Sequence, residues 1–80
     1  MTDSQAIQAA AVRELESAGF VHDGHLGSVG PQLVRNSLSV IVGRVTTCFG
    51  VIENGQRRPV AEVPTRDLDR IKTLADAGLS

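Results

Sequence analysis

Apolar and polar positions along the chain change rhythm twice. Between residues 5 and 18, Ile7, Ala11, Leu15 and Ala18 recur at helical spacing, which predicts a helix with a narrow apolar stripe. Thr2 with Gln5 has capping-box spacing, and Ser4 is an alternative cap. Gly19 reads as the left-handed terminator, with Phe20 packing back on Leu15. The same rhythm returns at about 66–77, where Leu68, Ile71 and Leu74 or Ala75 give an inward face. Thr65 is the expected N-cap, and Asp67 and Asp69 complement the positive helix start. Gly78 ends this helix with Leu79 over Leu74, so LESAGF and LADAGL use one stop signal twice.

Between the helices the period shortens. Leu38 to Pro64, LSVIVGRVTTCFGVIENGQRRPVAEVP, holds most of the β-branched residues. Asn54-Gly55 predicts a two-residue hairpin turn, because both central positions need positive φ. The implied pairs are Glu53–Gln56, Ile52–Arg57, Val51–Arg58, Gly50–Pro59 and Phe49–Val60. Gly50–Pro59 then falls at a non-hydrogen-bonded position. Pro59 lacks an N–H to donate, so residues 57–63 are expected at a sheet edge, where Arg57 and Arg58 discourage a further strand. Upstream, Leu38, Val40 and Val42 face one way and Ile41 the other. A strand apolar on both faces is usually covered on both. Gly43-Arg44 is expected to form a type II′ turn into a strand at 45–52, with a bulge at Gly43 as the alternative. Helical spacing of Leu33, Val34, Leu38, Ile41, Val42 and Val45 behind Pro31 allows a helix here. The stiff residues Val40, Ile41, Val42 and Val45 favour strand.

VHDGHLGSVGPQ, with three glycines and a proline, reads mostly as loop with a short strand at 20–23. Long loops in small domains often carry function. The expected fold is α+β in a single domain over residues 1–80: N-terminal helix, three-stranded antiparallel sheet with the hairpin at Asn54-Gly55, C-terminal helix. Two helices cover one sheet face and leave apolar residues on the other for a partner.

Composition sharpens this picture. Phe20 and Phe49 are the only aromatics among 80 residues, so the core is small and association would help it. The net charge of −1 supplies no basic excess for non-specific nucleic-acid binding. No membrane span and no secretory signal is expected. One cysteine, Cys48, fits a reducing cytosol, so the expected location is cytoplasmic.

Candidate chemistry is sparse. His22, Asp23 and His25 cluster in the loop, but no second cluster completes a metal site. Gly24, Gly27 and Gly30 lack the Gly-Lys-Ser/Thr of a P-loop and the spacing of a dinucleotide fingerprint. Cys48 has no nucleophile motif around it, and Ser28 and Ser37 no elbow context. No catalytic residue, metal or cofactor is expected. Arg35, Arg44, Arg57 and Arg58 outline a basic patch beside Glu53 and Glu62, without aromatics for base stacking. Nucleic acid is thus a less favoured partner than protein.

Two segments carry a resemblance. Leu15 to Phe20 followed after six residues by Gly27-Ser28, together with Val63-Pro64 and Leu68 to Ser80, resemble the HicA family of small toxins. The likeness covers the first and last thirds of the chain. It implies a helix–three strands–helix fold similar to double-stranded-RNA-binding domains, and mRNA cleavage by a histidine in Gly-Ser-His. Here Val29 stands at the histidine's place, and the segment from Val29 to Glu62 is longer than the family carries.

The function expected from these features is a small non-enzymatic protein-binding regulator or inhibitor, of the sort phages and mobile elements encode, acting on a protein partner or as a homodimer. Its partner-binding residues are expected to be Leu38, Val40, Val42, Arg44, Arg57 and Arg58. One alternative is an RNA-cleaving toxin with His22 or His25 in acid–base work. Another treats 31–43 as a helix and 45–63 as a wing, giving a winged-helix-like DNA binder with Arg57 and Arg58 on phosphates.

Overall fold

In the computed structural model, which describes residues 4–77, the order is α1 (Ser4–Ser17), β1 (Val21–Leu26), β2 (Gly30–Arg35), β3 (Leu38–Val42), β4 (Thr46–Glu53), β5 (Gln56–Pro64) and α2 (Leu68–Ala77). The five strands form one antiparallel sheet in chain order. The Thr2 cap and the Gly78–Leu79 stop lie outside the described residues. Among the described residues no helix is long and apolar enough to cross a membrane.

The three-stranded sheet expected from the sequence is thereby corrected to five strands, and the helix–three strands–helix order implied by the HicA resemblance is not seen. β1 and the first half of β2 come from the segment read mostly as loop, in which only a short strand at 20–23 was expected. Its glycines punctuate a hairpin instead. Gly24, at φ +102°, sits in a bulge between His22 and His25, and Gly27 (φ +43°) and Gly30 (φ +153°) bracket the turn that joins Leu26 to Gly30. Asn36, at φ +55°, opens the two-residue loop between Arg35 and Leu38. Because residues 30–35 and 38–42 are both strands, there is no helix over 31–43 and no winged-helix arrangement.

The Asn54-Gly55 hairpin has positive φ at both loop residues, 54° and 78°. Its pairs run as read from the sequence down to Gly50↔Pro59. Beyond that a bulge intervenes and Phe49 pairs with Ala61, not Val60. The strand carrying Pro59 is a sheet edge. The Gly43-Arg44 turn is also corrected. Val42 pairs with Thr47, so the connection is longer than two residues, and the Gly43 N–H donates to the Thr46 carbonyl at 3.1 Å.

Leu33, Leu38, Val40, Val42, Phe49 and Val63 project from one face of the sheet and meet Ala11 and Leu15 of α1 and Ile71 and Ala75 of α2. All ten are buried, which places the core between the sheet and a layer of two helices. The end of α1 is a Schellman stop. Phe20 N–H donates to the Leu15 carbonyl at 3.1 Å and Gly19 N–H to that of Glu16 at 3.0 Å. The cap of α2 is Asp67, not Thr65: its carboxylate accepts from the Arg70 N–H at 3.3 Å. Thr65 turns inward instead. Its hydroxyl donates to the Gly43 carbonyl at 2.7 Å and accepts from Thr47 Oγ1 at 2.9 Å.

Arg35 joins the two helices. One guanidinium nitrogen donates to the Ala18 carbonyl at the end of α1, and another donates to the Ala75 carbonyl in the last turn of α2 at 2.9 Å. Its Cζ stands 5.0 Å from the centroid of the Phe20 ring. A cation thus meets the negative ends of both helices at once.

Candidate functional site

Alternation along the strands decides what the uncovered face carries. Cross-strand partners share a face, so Gln32, Ile41, Cys48 and Glu62 form one row, and Val34, Ser39, Gly50 and Pro59 the next. Ile52 and Arg57 follow on the hairpin. Of these, Val34, Ile41 and Cys48 are half-buried, and Ile52 is 36% exposed.

Arg57 occupies the middle of this face. Its Nε donates to Ser39 Oγ at 3.2 Å, and its Nη2 donates to the carbonyls of Ser39 at 3.1 Å and Cys48 at 2.8 Å. Gln32 Nε2 donates to the same Ser39 hydroxyl at 3.0 Å. The guanidinium can lie this flat because residue 50 is glycine: a Cβ there would stand 2.8 Å from Arg57 Cζ. Ser39 is fully buried under it. Among the described residues Arg57 has no carboxylate partner. A cation is therefore held by neutral acceptors, on a face that also carries Val34, Ile41, Cys48 and Ile52.

The edges of the sheet are blunted. β5 carries Pro59 and the bulge beside Gly50, and β1 carries the Gly24 bulge, which break the regular row of groups a further strand would pair with. The broad face, not an edge, is what the sheet leaves open.

The residues expected to meet a partner are divided by the fold. Leu38, Val40 and Val42 lie in the core beneath the helices, at 6%, 0% and 0% exposure, and are not offered to anything outside. Arg57 is on the open face. Arg58 is on the hairpin's other side, paired with Glu53 at 2.8 Å with both side chains largely exposed, an arrangement that contributes little stability. Arg44 is exposed on the β3–β4 loop and lines a cleft there. His22 and His25 flank the β1 bulge. His22 Nε2 stands 3.5 Å from a carboxylate oxygen of Glu16, both side chains about half exposed, and His25 lines a shallow groove beside Gln5 and Gln8. Among the described residues no three His, Cys, Asp or Glu side chains come together as metal ligands. Sequence reasoning missed Gln32, Ser39 and the flat pose of Arg57. The available signal was Gly50, whose missing side chain leaves room over the central strand.

Comparison of the chain with protein-family models, with curated proteins and with solved structures finds no match.

Proposed function

We propose that this chain is a non-catalytic protein-binding module, a small regulator or inhibitor, whose docking surface is the uncovered sheet face centred on Arg57. The carrying observation is the pairing of a guanidinium held by neutral acceptors, with no carboxylate partner among the described residues, with half-exposed Val34, Ile41, Cys48 and Ile52 on the sheet face opposite the helices. Arginine set among apolar groups is a frequent energetic centre of protein interfaces. It offers directional donors to a partner's acceptors. The module acts in a reducing compartment, consistent with a free thiol at Cys48.

The test is site-specific photo-cross-linking in the protein's own cells. A photoreactive residue replaces Ile41 on the open face or Thr73 on the exposed side of α2. A discrete adduct from position 41 and none from position 73 is expected. Equal patterns from both positions, or none from 41, would reject the docking face.

A further inference from the structure

A cleft at one end of the sheet carries chemistry the open face does not use. It lies where the β3–β4 loop, the β5–α2 junction and the start of α1 meet. Ile7, Val45 and Pro64 form its apolar wall, Thr46 adds a hydroxyl, and Arg44 and Arg66 flank it. Its volume, about 410 Å³, falls at the small end of the range for small-molecule sites.

Three observations converge on one kind of ligand. Val45 is 78% exposed, and its backbone holds it there: the Thr65 N–H donates to the Val45 carbonyl at 2.8 Å, and the Gly43–Thr46 bond closes the loop behind it. Among the described residues no acidic side chain lines the cleft, and neither Arg44 nor Arg66 is in an ion pair. Two cations facing one small space repel each other, and an anion between them removes that cost. The fork of a guanidinium also matches the two oxygens of a carboxylate.

We infer that this cleft binds an aliphatic carboxylate, with the acid group between Arg44 and Arg66 and the stem on Ile7, Val45 and Pro64. The same chemistry is available from a free acid or from a peptide chain end with an apolar last residue. This inference stands apart from the open sheet face and does not depend on it.

The experiment is an NMR titration of the full chain, following the methyl groups of Ile7 and Val45. The probes are octanoate, octanol, and a short peptide ending in leucine with a free or amidated terminus. Saturable shifts with octanoate or the free-terminus peptide are expected, with octanol and the amidated peptide binding at least about tenfold more weakly. Arg44→Gln and Arg66→Gln should each raise Kd about tenfold, the loss expected for one charged hydrogen bond. Tighter binding of the peptide assigns the source to a chain end, and tighter binding of octanoate assigns it to a free acid; both support the site. No saturable shift with either acid up to about 10 mM, octanol binding as well as octanoate, or unchanged Kd in both variants would overturn it.

Discussion

Replacing Arg35 by methionine tests how the helical layer is held. Methionine is an unbranched apolar side chain of nearly the same stem length, with its sulfur where Arg35 has Cδ, so it keeps most of the stem's packing and removes the guanidinium. Lost with it are the bonds to the Ala18 and Ala75 carbonyls and the contact over Phe20. A hydrogen bond to a charged group contributes about 1.5–3 kcal/mol, and a cation at a helix C-terminus about 0.3–1 kcal/mol. These terms share one group and are not additive, and the site is only part-buried, so the expected cost is about 2–4 kcal/mol. A chain of 80 residues has roughly 4–12 kcal/mol in all, so the loss is a large share of the total. In urea, with a slope near 1 kcal/mol/M for so small a domain, the midpoint should fall by about 2 M or more at unchanged slope. Arg35→Lys keeps the charge but lacks the planar fork that spans both carbonyls, and should recover only part of the loss. A midpoint for Arg35→Met within about 0.5 M of the parent chain would refute the reasoning and make Arg35 an incidental surface cation.

Other expectations follow from the same coordinates. Gly30→Ala places a Cβ 2.0 Å from the Val42 carbonyl oxygen, at φ +153°, and should prevent folding as judged by circular dichroism, whereas Gly24→Ala, with open space around it, should cost only the backbone strain of about 1–2 kcal/mol. Thr65→Val strands the Thr47 hydroxyl and the Gly43 carbonyl and should lower stability by about 1–3 kcal/mol, with Thr47→Val added in the same chain restoring part of it. Purified protein should leave RNA intact, and a His22→Ala/His25→Ala variant should behave as the parent does; cleavage that disappears in that variant would move the account to the acid–base alternative.

Where the sequence was legible, a residue left the backbone little choice. Asn54-Gly55 permits the positive φ its turn requires, Pro59 has no N–H to give a further strand, and Gly19 ends α1 with Phe20 folded onto Leu15. Where it misled, the same residue types fit two structures. Gly24, Gly27 and Gly30 suit an irregular loop as well as a bulged hairpin, and only the tertiary pairing of Val34 with Val21 decides for the latter. Asn36 marks the β2–β3 turn, but without glycine after it the signal was weak. Leu38, Val40 and Val42, expected to meet a partner, lie instead in the core beneath the helices. Alternation separates Leu38, Val40 and Val42 from Ile41 but does not say which set the helices cover. The place of Arg57 depends on a glycine on the neighbouring strand and a serine on the strand beyond it, a relation that no local pattern encodes.

The open face contains its own probe, since Cys48 is the chain's single cysteine and sits half-buried in the central row. Alkylation of Cys48 by a small maleimide can be timed by mass spectrometry in intact cells and in dilute purified protein, without any substitution. A covered face requires the thiol to react at least about tenfold more slowly in cells, with the purified rate returning once the partner is stripped by denaturant and the chain refolded alone. Equal rates in both settings would mean that nothing sits on the sheet.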